Sequence, residues 1–203
     1  GNEFEAGSEL YNDRLLLNDG YGNFTSDPER VPYLSTNGCV VRPIDYDLDG
    51  DIDLFIGGHN KPGAYPLGDY SYLLKNNNGY FEDFTNVILP DLGEFGLVTD
   101  AQWSDINNDG RQDLIIVGEY SPVAIFLNLE DGFERLRSDT LDEATGLWRS
   151  IEVLDYDNDG DLDFLLGNLG KNNMLSISSE TPLTISTRDI DLSLIHISEP
   201  TRP

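Results

Sequence analysis

A chain of 203 residues with 38 acidic against 12 basic residues carries a formal net charge of −26. That leaves no basic surface to neutralise phosphates, which excludes a nucleic-acid binder, and it argues against electrostatic docking on an anionic membrane. No apolar run approaches the roughly 20 residues that span a bilayer. The length suffices for one or two cored domains. A single cysteine, Cys39, excludes an internal disulfide and, in a strand-like segment, reads as a small buried apolar residue.

In chain order, Arg14 to Phe24 reads as a hairpin with Asn18-Asp19-Gly20 turn chemistry. A mixed apolar strand, Cys39 to Ile44, then leads into a nine-residue acidic loop, Asp45 to Asp53, and a short apolar run, Leu54 to Gly57. A second hairpin follows at Tyr72 to Phe81. The same order returns twice. Leu97 to Trp103 leads into a loop at Asp105 to Asp113, a run at Leu114 to Gly118 and a hairpin at Ala124 to Phe133. Trp148 to Leu154 leads into a loop at Asp155 to Asp163, a run at Phe164 to Gly167 and the start of a hairpin at Asn172 to Ile177. Short β-branched and aromatic runs of this kind read as buried strands, and no segment shows convincing helical amphipathicity. Loop starts at 45, 105 and 155 fall in the range of periods that marks propellers and solenoids. Each unit is expected to be a four-stranded blade. The units are 12–30 as the second half of a blade, then blades at 31–90, 91–140 and 141–191.

The last twelve residues, 192–203, resemble the translation of a transposase sequencing adapter and are set aside as a non-native tail. That leaves His59 as the one histidine available to function. The chain begins at Gly1 without an initiator methionine, and it is expected to be a piece of a longer protein.

The three loops carry oxygen at positions 1, 3 and 5, glycine at 6 and a carboxylate at 9, and hold 13 of the 38 acids. Oxygen at every second residue of a tight loop suits a hard cation such as Ca²⁺, which takes six to eight oxygens. Glycine lets the backbone turn where a side chain would be strained. An EF-hand would need a bidentate glutamate at position 12 and flanking helices. Position 12 is Ile56, Ile116 or Leu166, within apolar strands.

With strand, acidic loop, strand and hairpin in phase, the chain resembles the FG-GAP/VCBS repeats of integrin α-subunit-like β-propellers over about Asn12 to Ser178. Its finer likeness is to bacterial ASPIC/UnbV proteins, similar to cartilage acidic protein. It is carried by the segments at Ser71 to Asn77, Val98 to Asp105 and Gly167 to Asn173. The resemblance implies an all-β partial propeller of four-stranded antiparallel blades, open as a ring, binding up to three Ca²⁺. By position it implies side-chain ligands at Asp45, Asp47, Asp49 and Asp53. The second set is Asp105, Asn107, Asp109 and Asp113, and the third is Asp155, Asp157, Asp159 and Asp163. Asp51, Arg111 and Asp161, at position 7, would each give a backbone carbonyl. The second loop, with Asn107 for a carboxylate and Arg111 adding a positive charge, is expected to be the weakest site.

The leading functional expectation is a non-catalytic module in which metal staples the blades and a propeller face binds a protein or carbohydrate. The remaining blades of the same ring are its other partners. Trp103, Trp148, His59 and Tyr65 either meet that partner or pack inside, the usual fate of large aromatics. The rival is the propeller of a calcium-dependent polysaccharide lyase or hydrolase. Glu119 and Glu152 show no sequence-visible partner acid, base or nucleophile, and Lys75, Arg149 and Lys171 are the few cations that could act in lyase chemistry, with nothing in the sequence to cluster them. A purely structural spacer is the third option. Extracellular sites of this kind have dissociation constants of about 10⁻⁴ to 10⁻³ M. Loading then needs an exported, periplasmic or cell-surface location, in a protein expected to be bacterial.

Overall fold

The computed structural model describes residues 13–92 and 95–170, together with the backbone of 184–186 and 196–198. The hairpin expected from Asn172 lies outside these residues. The architecture is all-β and antiparallel. A two-stranded sheet pairs β1 (Leu16–Asn18) with β2 (Phe24–Ser26). A four-stranded sheet runs β3 (Gly38–Ile44), β4 (Asp53–Gly58), β5 (Tyr72–Asn77), β6 (Tyr80–Asp83) in simple succession. Its last turn is Asn78-Gly79, with φ of 54° and 90°. Positive φ at both central residues is the two-residue hairpin geometry that Asn-Gly favours.

The next sheet repeats that succession with β7 (Leu97–Ser104), β8 (Asp113–Ser121), β9 (Ala124–Leu129) and β10 (Gly132–Leu136). The far end of β8 also pairs with the start of β11 (Gly146–Leu154), which pairs along its length with β12 (Asp163–Asn168). Helical structure among the described residues is confined to connectors: α1 (Thr85–Ile88), a 3-10 turn at Pro90–Leu92, and α2 (Asp139–Glu143). A short pair, β13 (Thr184–Ser186) with β14 (His196–Ser198), falls partly in the adapter-like tail.

The sheets stack face to face, and β8 shows why a continuous apolar run was required. Alternate residues of a strand point to opposite faces. Leu114 and Ile116 join Phe55, Leu73, Val98 and Phe126 in a core between the first and second sheets. Ile115 and Val117 join Val123, Ile125 and Ile151 in a core toward β11 and β12. Both faces of β8 are dry, which is the packing of an internal propeller blade. Gly57 permits the close approach, since a Cβ there would lie 2.6 Å from side-chain carbons of both Val40 and Val98.

Against the second strand of its unit, each leading strand β3, β7 and β11 breaks register once, leaving Cys39, Thr99 and Arg149 as the extra residues. Such bulges turn side chains out of the ladder. This corrects the expectation for Cys39, which is exposed. It sits at the bulge rather than on a packed face, with its Sγ 3.9 Å from the Thr99 carbonyl. Neighbouring leading strands are joined by a repeated clamp: Arg42 Nε donates to the Ala101 carbonyl at 2.6 Å, and Gln102 Nε2 donates to the Ile151 carbonyl at 2.9 Å. Asp100 adds a bridge, accepting from Arg42 Nη2 at 2.5 Å and from the Ile151 amide at 3.1 Å.

The tryptophans resolve toward the interior. Trp103 packs on the first core with its ring 6.1 Å from Phe133, and Trp148 packs on the second. Their indole N–H groups donate to the Arg42 and Ala144 carbonyls.

Candidate metal centre

Each acidic loop links the first two strands of its unit, and the three are built alike. The position-1 carboxylate accepts two backbone N–H groups, from positions 5 and 6. For Asp45 these come from Asp49 and Gly50, both at 3.1 Å. For Asp105 they come from Asp109 and Gly110 at 3.0 and 2.8 Å, and for Asp155 from Asp159 and Gly160, both at 3.1 Å. The position-5 carboxylate accepts the position-7 amide, at 3.0 Å for Asp51 and 2.9 Å for Arg111 and Asp161.

Position 4 is left-handed in every loop, with φ of 61° at Leu48, 59° at Asn108 and 62° at Asn158. Asparagine tolerates that region; a γ-branched leucine does not. Leu48 is 59% exposed, so little burial is at stake. Leu48→Asn is expected to stabilise the protein by about 1 kcal/mol, raising the melting temperature by about 2–4 °C. An unchanged or lower melting temperature in a thermal scan would show that the loop does not strain Leu48.

The position-9 aspartates anchor the loops from beneath. Asp53 and Asp113 are fully buried. Asp53 accepts the Tyr46 amide at 3.2 Å and the Asn76 amide at 2.7 Å, and Asp113 accepts those of Ile106 and Asn128 at 2.9 and 2.8 Å. Asp163 accepts the Tyr156 amide at 3.0 Å. Burial pushes the Asp53 carboxyl up to about 6 against the pull of those two amides, and raises Asp113 likewise.

Oxygens of Asp45, Asp47 and Asp49 all lie within 4.8 Å of one another, as do those of Asp155, Asp157 and Asp159. Asp51, Asp53, Asp161 and Asp163 stand outside these two groups. In the second loop the Asn107 amide turns inward, its Nδ2 donating to Asp109 at 2.9 Å and its Oδ1 accepting the Asp109 amide at 3.0 Å. In the first loop, Oδ1 of Asp47 is buried without a hydrogen-bond partner. A buried carboxylate oxygen left unpaired is costly. Converging carboxylates with one orphaned oxygen are a donor set that fits a hard divalent cation.

A residue the sequence marked only as a candidate cation for lyase chemistry also enters the first loop. Lys75, on β5, pairs with Asp47 Oδ2 and lies 3.1 Å from Asp49 Oδ2. The Asp47 hydrogen bond raises the Lys75 ammonium. The Asp51 amide first, and Lys75 second, hold Asp49 below the usual carboxylate range. The link is legible only through β5: the Asp53 bond to the Asn76 amide docks this strand and brings its neighbour Lys75 alongside.

A second polar cluster forms at the other end of β8. The Glu119 carboxylate is buried and accepts from the Tyr65 hydroxyl at 2.7 Å, with Arg149 Nη1 at 2.5 Å and His59 Nε2 at 3.8 Å. The Tyr65 and Tyr120 hydroxyls are 2.9 Å apart. Residues scattered over the sequence thus meet on one carboxylate. Glu152 accepts from Gln102 at 3.1 Å instead.

The FG-GAP-like repeat model matches residues 45–116 and 105–166, more than half of the chain. The chain belongs to the FG-GAP-like repeat family. Each matched span runs from the first aspartate of one loop to the strand after the next loop, so it takes in one loop-and-sheet unit and the loop and strand that open the next. A comparison with curated proteins finds no match. FG-GAP-like repeats are structural and interaction modules, often of adhesion-related proteins, and usually occur in extracellular or surface proteins. Among the described residues no helix is long and apolar enough to cross a membrane.

Proposed function

We propose that the three loops each bind Ca²⁺, and that the protein is a calcium-stapled propeller module that presents a face to a protein or carbohydrate partner. The observation that carries the reading is the first loop's donor set, three converging carboxylates with a buried, unpartnered Asp47 oxygen. The matching hydrogen-bond scheme of the other two loops extends it to them. The ions would be held by positions 1, 3 and 5, with position 9 and the position-7 carbonyl completing each shell. Their role is to neutralise clustered carboxylates and fix the junction between consecutive strands.

Exposed apolar side chains on outward faces, such as Val41 at 50% and Leu165 at 65%, favour further blades at both ends, within a larger exported or surface protein of bacterial type. The Glu119 cluster gives the polysaccharide-lyase alternative a more concrete locus than the sequence did. Its members, however, satisfy one another, as expected of a structural hub rather than of groups free to meet a substrate.

The test is thermal unfolding of the full chain, metal-free and in millimolar Ca²⁺, with Mg²⁺ alongside. A ligand that binds only the folded state must stabilise it. Three sites of millimolar class or tighter are expected to raise the melting temperature by roughly 10 °C, with little response to Mg²⁺. A melt indifferent to Ca²⁺ rejects the reading.

A further inference from the structure

Building on the calcium reading, we infer that Lys75 is a tethered counter-cation that competes with Ca²⁺ for the first loop, making this loop fill later than its carboxylate count dictates. The first and third loops have the same five aspartates, and ligand charge alone would give them equal rank. In the first loop, however, the Lys75 ammonium already engages Asp47 Oδ2 and reaches within 3.1 Å of Asp49 Oδ2. These are two of its three converging carboxylates.

A divalent ion taking the same oxygens must displace the ammonium or sit beside it against like-charge repulsion. The ammonium cannot diffuse away, and a tethered competitor acts at an effective concentration of order millimolar, the range in which such loops load. Among the described residues, the second sheet lacks this geometry. Register equates Leu54↔Leu74 in the first sheet with Leu114↔Phe126 in the second. Asn76 and Asn128 are held identically by Asp53 and Asp113. The position of Lys75 is therefore occupied by Leu127 in the second sheet, where it packs on an apolar core. An apolar residue is tolerated there, and Lys75→Leu copies it.

Each loop has one glycine at position 6, namely Gly50, Gly110 and Gly160. A calcium titration of the ¹⁵N-glycine-labelled full chain therefore reads the loops separately. The Gly50 amide is expected to respond at about tenfold more Ca²⁺ than Gly160. In Lys75→Leu its midpoint falls about tenfold to join Gly160, and in Lys75→Arg, which keeps the charge, it stays high. An identical Gly50 midpoint in wild type and Lys75→Leu overturns the inference. An equal fall in Lys75→Leu and Lys75→Arg overturns it too, by showing that shape rather than charge is at work. Silence of all three amides toward Ca²⁺ in every variant would reject the calcium reading itself. Loading of Gly110 and Gly160 with an unshifted Gly50 midpoint in Lys75→Leu would reject the role of Lys75 alone.

Discussion

Arg149→Ala is expected to cost about 2 kcal/mol of stability, and Glu119→Gln in the same chain is expected to restore about half of it. Glu119 is buried at 5% exposure and its charge is met by Arg149 at 2.5 Å. Removing one partner of such a pair leaves a buried charge uncompensated, at about 3–5 kcal/mol when the pair is fully enclosed. The Arg149 side chain is half exposed, at 49%. Solvent screening therefore holds the figure toward the lower end.

With glutamine at 119 no charge needs a partner, and the amide oxygen still accepts from Tyr65. The double variant should then unfold in urea close to Glu119→Gln alone, which should itself cost about 1 kcal/mol. Additive losses would mean the two side chains do not share an energetic term, and Glu119 would no longer count as the hub joining the described units.

The second large effect is a reversal of pH dependence by calcium. Asp53 has its folded-state pKa pushed up to about 6, and Asp113 is raised in the same sense. A carboxyl raised on folding binds its proton more tightly in the native state, so the native state takes up protons between the unfolded value near 4 and the folded value near 6. Metal-free stability should therefore fall as pH rises through that window, by up to about 3 kcal/mol from Asp53, with Asp113 acting in the same direction. Asp49, held low by the Asp51 amide, works the other way, but its side chain is 40% exposed and its contribution is small.

Calcium requires ionised ligands. In millimolar Ca²⁺ the same window should show stability rising with pH. Melting temperatures at pH 4.5 and 7, with and without Ca²⁺, would check the sign. A metal-free protein more stable at pH 7 than at pH 4.5 would contradict the burial of Asp53 and Asp113 as charged anchors.

Much of this was readable from local pattern. Leu114 to Gly118 is apolar at consecutive positions because both faces of β8 are covered, and an unbroken run of that length is enough to mark a doubly packed strand. The second hairpins announced themselves through Asn78-Gly79 and Asp131-Gly132. The loops did so through oxygen at alternate positions and glycine at the sixth. The helical turns at Thr85–Ile88 and Asp139–Glu143 were not legible, because four or five residues hold too little periodicity. Cys39 was misplaced because a bulge is a fact of register between two strands, invisible in either one alone.

The sequence by itself determined the repeat, the strand order of the first two four-stranded units and the acidic loops. All of these arise between residues a few positions apart, where backbone geometry and side-chain alternation act directly. Tertiary structure alone decided which cations meet which carboxylates. Lys75 reaches the first loop from 28 residues away because Asp53 docks its strand. Arg149, Tyr65 and His59 meet Glu119 because stacked sheets bring three units to one end of β8. Contacts of that range depend on register and stacking, which no local pattern encodes.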